Sequence, residues 1–234
     1  MKFSLIIPAH NEESRIGKTL KDYLDYFAKE TEVIVVLNAC QDETLAVVKE
    51  KQKKFPNIRI IDIKEAIGKG GAVRAGFRQA GGDLIGFVDA DGATSPEEYN
   101  KLIQSMAAGA DGAIASRYIA GAKAKRTHLR NIIGLTFHFL QKILFWLPYR
   151  DTQCGAKVFR KELIKRILPE LKVNNMVFDI EILVWLKKYG YKIKEVPTVW
   201  EEKESSALLG SPLKLFRNSL NMLITLIKLR LRFK

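Results

Sequence analysis

Two aspartates separated by a single residue, Asp89 and Asp91, follow an apolar run from Leu84 to Val88. The run is β-branched and aromatic and reads as a buried strand, so the carboxylates stand at a strand's C-terminal end. Ligands of open α/β sheets bind outside that edge, and an Asp-x-Asp there suits a hard cation held against a phosphate. The residues that follow pin the loop. Ser95 reads as a helix N-cap, Pro96 as the first helical residue and Glu98 as the far half of a capping box. A solvated acidic turn would carry the same residues, so the pair needs support from the rest of the chain.

That support starts with the elements that must position it. Phe3 to Ile7, Glu32 to Leu37, Ile58 to Ile63, Leu84 to Val88 and Gly112 to Ser116 are short apolar runs. Between the first four lie Ser14 to Lys29, Glu43 to Lys54 and Gly70 to Ala80, each with helical apolar spacing. Strand and helix in alternation predict an α/β fold with a mostly parallel sheet covered by helices. The loop after the first strand, Pro8-Ala9-His10-Asn11-Glu12-Glu13, and the loop after the second, Asn38 to Thr44 with Asp42, then share the edge that carries Asp89 and Asp91. Their Asn, Asp and Glu groups can hydrogen-bond a base or ribose. Gly68 to Arg74 lacks the pattern of a Walker loop or a dinucleotide loop. It reads as a flexible basic loop at a helix start, with Lys69 and backbone N–H groups available to a diphosphate.

Composition narrows the partners. The chain has 234 residues, enough for one large domain plus an appendage, which we place at residues 1–204 and 205–234. Its two cysteines, Cys40 and Cys154, suggest neither a disulfide framework nor a zinc site. Pro8 breaks the apolar N-terminus too early for a signal peptide, so that stretch reads as the first strand. The formal charge is +13, and two acid-free stretches, Gly112 to Arg150 and Ser205 to Lys234, hold the whole excess. Charge gathered in this way points to an anionic partner met at particular places.

In order along the chain, five motifs resemble the inverting family 2 glycosyltransferases: Pro8-Ala9-His10-Asn11-Glu12, Gly68 to Arg74, Val88 to Thr94, Ser116-Arg117 and Asp151 to Lys157. Within these they most resemble the dolichyl-phosphate β-glucosyltransferases, with dolichyl-phosphate mannose synthases next. The similarity runs from Ser4 to about Arg232 and takes in Phe178 to Glu181 and Val199 to Glu202. The resemblance implies a GT-A nucleotide-sugar fold, Mg²⁺ or Mn²⁺ on Asp91 and Asp89, and a dolichyl or polyprenyl phosphate acceptor. Nucleotide-sugar contacts are then expected from Pro8, Ala9, His10, Glu12, Asn38, Asp42, Lys69, Gly70 and Arg74, together with Asp89, Ala90 and Asp91. Leu37 stands where the family commonly has an Asp that helps bind base or ribose, and Ala156 where Phe is usual. Glu204-Ser205-Ser206-Ala207 stands in place of a late Gly-Ser-Lys of the glucosyltransferases.

The second half supplies the acceptor side. Arg117 and Arg130 suit a phosphate, because a guanidinium makes two parallel charge-assisted bonds. Asp151 and Asp179 join the aspartate pair as candidate catalytic carboxylates, although a helix start favours acids such as Asp179 and Glu181 for electrostatic reasons alone. Asn131 to Tyr149 is aromatic and apolar, with a polar stripe through Asn131, His138, Gln141 and Lys142. Leu213 to Phe233 is apolar, with Lys214, Arg217, Asn221, Thr225, Lys228 and Arg232 at three- and four-residue intervals. Both are expected to lie in a membrane interface without spanning it, which places the protein peripherally on a cytoplasmic membrane face. The expected reaction is metal-dependent transfer of a hexose, glucose from UDP-glucose by preference, to a lipid phosphate. GDP-mannose or another donor, a non-lipid acceptor, and a non-catalytic basic lipid- or nucleic-acid-binding module are the alternatives. Nucleic acid is not an expected partner, since neither aromatic platforms nor a recognition helix is evident.

Overall fold

The computed structural model describes residues 2–27, 31–125, 139–201 and 212–233. The five apolar runs form β1 (Phe3–Ala9), β2 (Thr31–Asn38), β3 (Ile58–Ile63), β4 (Leu84–Phe87) and β5 (Gly112–Ser116). The intervals hold α1 (Ile16–Phe27), α2 (Thr44–Lys54), α3 (Gly68–Gln79) and α4 (Pro96–Ala107). Beyond β5 come β6 (Lys123–Lys125), a helix α5 at 139–145, β7 (Lys157–Arg160), α6 (Lys161–Ile167), α7 (Phe178–Lys188), β8 (Ile193–Pro197), β9 (Val199–Glu201) and α8 (Pro212–Leu231).

Seven strands form one sheet in the order β3-β2-β1-β4-β7-β5-β8, and β6 pairs with β9 in a second, two-stranded sheet. In the large sheet β7 alone runs against its neighbours, wedged antiparallel between β4 and β5. The other pairings are parallel. The C-terminal ends of β1, β2, β4, β5 and β8 therefore open on one edge, and α3 starts there after β3. Alternate residues of β1 feed two cores, as the pleat requires. Leu5 and Ile7 pack with Leu20, Tyr23 and Leu102 under α1, α2 and α4. Ile6 packs with Val73, Phe77, Phe178 and Leu183 under α3, α6 and α7.

Three local expectations change. The sequence pattern did not mark β7, because its four residues begin with a lysine, Lys157, that is wholly buried. The capping box at α4 is half made. Ser95 Oγ accepts from the Glu98 N–H at 3.4 Å, but the Glu98 carboxylate accepts from Val199 N at 3.0 Å and pairs with Lys101, tying β9 to α4. In α5, Gln141 turns inward to Thr152, while Phe139 and Ile143 stand exposed and Phe145 is buried. Gln141 therefore does not belong to an outward polar stripe. Asn131 and His138 lie outside the described residues.

The last helix is likewise turned. Leu226 and Leu229 are buried in the core, with Met222 and Phe233 packed against it, and the Phe233 ring lies 4.6 Å from that of Trp185. Thr225 accepts from the Asn175 amide at 2.8 Å, and Arg232 pairs with Glu181 at 2.6 Å. Two members of the expected polar stripe thus face the domain. The outward face carries Leu220, Ile224, Ile227 and Leu231, four apolar residues at helical spacing. Among the described residues no helix is long and apolar enough to cross a membrane.

Gly86 shows how tightly the strand below Asp89 is held. A Cβ there would lie 2.1 Å from Tyr99 Oη and 2.3 Å from Lys157 O. Gly86→Ala should destabilise the fold by ~1–3 kcal/mol, and each kcal/mol should lower Tm by about 2–4 °C in a chain of this size. Thermal melts of the two proteins check this; an unchanged Tm would mean the strand can move away from α4 at no cost.

Candidate active site

The loops after β1 and β2 are stitched to each other before they meet any ligand. Glu12 N donates to Thr44 Oγ1 at 2.8 Å, Gln41 N to Asn11 Oδ1 at 2.8 Å, and Glu13 N to Asp42 Oδ2 at 3.1 Å. Asn11 and Ala39 take left-handed backbone conformations, with φ of 55° and 51°, which sharpens both turns at the strand ends. Pro8 and Ala9 finish β1, and His10 Nδ1 donates to Asn38 O at 2.7 Å. Asn38 Oδ1 accepts from Ile67 N at 2.8 Å, which fastens the second loop to the start of α3. Asp42 is occupied by the Thr44 N–H and hydroxyl at the start of α2, and these bonds hold its carboxyl below the ordinary range against the opposing effect of burial. Leu37, where the family commonly has an Asp, is fully buried.

The glycine-rich segment differs from its expected form. It is packed against residues 173–178: a Cβ on Gly70 would lie 2.4 Å from Val173 O and 2.6 Å from Phe178 Cβ. Gly70 N already donates to Asn174 O at 2.8 Å, and Arg74 reaches Leu171 O, at 3.1 Å, and Asn174. These groups are spent on the scaffold. Lys69 alone of the segment points into the site, with Nζ 2.7 Å from Asp89 Oδ1 and 3.6 Å from Asp179 Oδ2.

The ion pair continues inward. Lys157 Nζ lies 2.5 Å from Asp179 Oδ1 and donates to Cys154 O at 2.6 Å, so Asp179 sits between two ammonium groups. Phe87 lies under both lysines, its ring centroid 5.7 Å from Lys69 Nζ and 5.3 Å from Lys157 Nζ. Burial works against the charge of Lys69, but Asp179 and Asp89 more than reverse this and hold its ammonium well above the usual lysine range. Gly155 completes the cradle: a Cβ there would fall 1.8 Å from Asp89 Oδ2.

Asp91 is less committed. Its Oδ1 accepts from Ala93 N at 2.9 Å. Burial, and then the Asp89 charge, raise its pKa, with Ala93 N–H, Arg15 and Lys69 acting in the opposite direction. Glu12 is also raised, first by burial and further by Asp91 and Asp89, against the pull of Arg15, which clamps it through Nε and Nη2 at 2.7 Å each. Arg15 Nη1 is buried without a hydrogen-bond partner. Ala90 O accepts from Thr19 Oγ1 at 2.8 Å, which fixes the residue between the two aspartates. Among the described residues no three His, Cys, Asp or Glu side chains gather as a metal cage. Two carboxylates fit a hard cation that takes its remaining ligands from phosphate and water, the usual manner of Mg²⁺.

Beyond the end of β5, Asp151 and Arg117 form a buried pair. Arg117 Nε lies 2.6 Å and Nη2 2.9 Å from the two Asp151 oxygens, and the guanidinium stands 5.4 Å from the Trp200 ring. Burial would raise the Asp151 carboxyl, but Arg117 outweighs it and holds it below the ordinary range. Glu195 accepts the N–H groups of Arg150 and Asp151 at 2.9 Å each, so β8 steadies the turn. Arg130 lies outside the described residues. Sequence reasoning assigned no role to Arg15, Gly155 or Lys157, although Gly155 and Lys157 both lie inside the Asp151 to Lys157 motif. Glu181 proves structural, accepting from Lys172 N and Val173 N and pairing with Arg232.

Residues 4–168 match glycosyl transferase family 2. This chain belongs to that family. As a family 2 glycosyltransferase it is similar to the dolichyl-phosphate β-glucosyltransferase of Dictyostelium discoideum, at 32% identity over 98% of this chain and 74% of that protein. The Homo sapiens enzyme of the same name is 31% identical over 99% of this chain and 76% of that one. Among solved structures, glucosyl-3-phosphoglycerate synthase from Mycobacterium tuberculosis with UDP superimposes with a TM-score of 0.73 at 16% identity, covering 98% of this chain and 80% of that one. S. aureus TarS 1–349 with UDP-GlcNAc gives 0.61 at 19% identity, covering 90% of this chain and 61% of that one. At these identities the structural likeness concerns the fold, which is α/β and GT-A-like.

The Asp91 environment generates a test of sign. A carboxyl whose folded pKa is raised loses stability as pH climbs from its ordinary value, near ~3.9, to the raised one. Asp91→Asn should therefore melt at a higher temperature than the wild type at pH 7 in EDTA, and the gap should close in acid, where both side chains are neutral. A lower Tm for Asp91→Asn at pH 7 would contradict the electrostatic account.

Proposed function

We propose that this family 2 glycosyltransferase moves a hexose, glucose from UDP-glucose by preference, onto a dolichyl or polyprenyl phosphate with inversion at the anomeric carbon. The observation that carries the reading is the shared sheet edge: Asp89 and Asp91 follow β4, the stitched loops follow β1 and β2, and the Arg117–Asp151 pair follows β5. The names of its relatives support the sugar and the acceptor. A GT-A-like neighbour solved with Mn²⁺ and UDP supports the cofactor.

In this reading Asp91 and Asp89 would hold Mg²⁺ or Mn²⁺, which would supply positive charge against the departing nucleoside diphosphate. The loops carrying His10, Glu12 and Asn38 receive the base and ribose, and Lys69 serves the diphosphate. An acceptor phosphate oxygen attacks the anomeric carbon as the bond from that carbon to the diphosphate oxygen breaks. The acceptor is a phosphate monoester with a second pKa of about 6, mostly dianionic at neutral pH, so no side chain need remove a proton. That suits this site, where Asp179 lies between two lysines and Asp151 is held by Arg117. Asp151 then acts as a positioning residue that aims Arg117 at the acceptor phosphate. Arg130 is reserved for the same phosphate.

The lipid acceptor also gives a purpose to the outward face of α8. Leu220, Ile224, Ile227 and Leu231 form an apolar stripe between Arg217 and Lys228 on one flank and Arg230 on the other. Such a face suits peripheral attachment to an anionic membrane surface. Phe139, Ile143 and Trp146 of the α5 region are exposed as well.

Radiolabelled UDP-glucose and GDP-mannose, each offered with polyprenyl phosphate, test the reading. Metal-dependent label in the lipid phase from UDP-glucose is expected, and label from neither donor would refute it. Asp91→Ala should lose at least about a hundredfold in rate, several kcal/mol of transition-state stabilisation; full activity of that variant or in EDTA would remove the metal from the account. For the membrane, Ile224→Ser with Ile227→Ser should cost ~1 kcal/mol for each half-exposed side chain, weakening binding to anionic vesicles about thirtyfold. Unchanged co-sedimentation would show that α8 does not face lipid.

A further inference from the structure

Lys69 blocks one of the two carboxylates that the proposed cation would need. Its Nζ lies 2.7 Å from Asp89 Oδ1, while Asp89 Oδ2 faces Gly155, so closely that a Cβ at that glycine would meet it at 1.8 Å. Asp91 offers Oδ2, its Oδ1 being taken by Ala93 N. The donor-free site thus presents a divalent cation with one open carboxylate, a weak ligand set for a hard ion. The charges agree with the geometry. Asp89 and Asp179 pair with Lys69 and Lys157, Glu12 pairs with Arg15, and Asp91 stands among them, four carboxylates against three cations, so the cluster carries one net negative charge. A divalent cation alone would leave it net positive. A diphosphate entering with the cation supplies the missing negative charge and a new partner for the ammonium.

We propose that Lys69 is an exchangeable cation: it occupies Asp89 while the donor site is empty, and it moves to the diphosphate when donor and metal enter together. The scaffold is built for such an exchange. Lys69 is the second residue of α3, whose start is fixed by Gly70 N on Asn174 O, so the side chain can swing while its backbone stays in place. Asp179 remains behind with Lys157, so the departure of Lys69 strands no buried carboxylate. Metal binding then becomes conditional on donor binding, and by linkage each tightens the other. The inference rests on the proposed use of a divalent cation with a nucleotide donor, and it assigns Lys69 a positioning role in the empty enzyme beyond contact with the diphosphate.

Mn²⁺ binding to the full chain, followed by calorimetry and by the EPR signal of the free ion, tests this with and without UDP. The wild type is expected to bind Mn²⁺ weakly alone and tightly with UDP. Lys69→Met opens Asp89 and should bind Mn²⁺ at least about tenfold more tightly than the wild type in the absence of nucleotide. A crystal structure of the wild type with UDP and Mn²⁺ gives a readout that needs no variant: Lys69 Nζ should have left Asp89 for the diphosphate. Equal Mn²⁺ affinity in a folded Lys69→Met, or a Lys69–Asp89 pair that persists beside bound metal, overturns the exchange while leaving the proposed function intact. Failure of the wild type to bind Mn²⁺ even with UDP overturns both.

Discussion

A buried row of alternating charges, Asp89–Lys69–Asp179–Lys157, holds the centre of this molecule together. Its members come from the end of β4, the start of α3, the start of α7 and the start of β7, four elements distant in sequence. Each ion alone would be costly to bury, and removing one partner of such a pair typically costs ~3–5 kcal/mol. In sequence these charges give neutral pairs, so the row closes electrostatically and leaves Asp89 at its outer end, partly exposed at the sheet edge. Phe87 forms the floor beneath both lysines.

The row also explains the irregular sheet. Six strands of one direction would close around an apolar core, but β7 enters antiparallel and brings Lys157 to the middle of the molecule. The turn that leads into β7 contributes Asp151 to Arg117, Gly155 to Asp89 and the Cys154 carbonyl to Lys157. One short segment thereby joins the Asp89 end of the site to the Arg117 end. The α8 helix is fastened to the same assembly through Arg232 and Glu181, whose carboxylate holds the 172–173 backbone next to the start of α3.

Much of this architecture was legible in the residues. Period and β-branching located β1 to β5 and the first three helices, and Ser95 with Pro96 located α4, because each of these signals is local. The position of the aspartate pair was legible, because the end of β4 follows from a local signal. What could not be read depends on contacts across the chain. Lys157 looks like a surface residue until Asp179 is beside it, and Arg74 and Gly70 look like phosphate ligands until residues 171–174 occupy them. Asp151 and Asp179 read as free carboxylates, and only the fold supplies the cations that pair with them. The orientation of α5 and α8 was misread for a related reason. A polar stripe in the sequence suggests a face turned to water, whereas Gln141, Thr225 and Arg232 spend their polarity on the domain and leave apolar residues outside.

These pairings bear directly on chemistry. Asp179 and Asp151 are both engaged by cations, which suits the proposed reaction as a single displacement of the diphosphate by the acceptor phosphate. The anomeric configuration of the product measures this most directly. Proton NMR of the lipid-linked sugar formed from an α-linked nucleotide donor should show only the β anomer. An α-linked product would demand a second displacement or attack from the departing side, and would contradict the account at its centre.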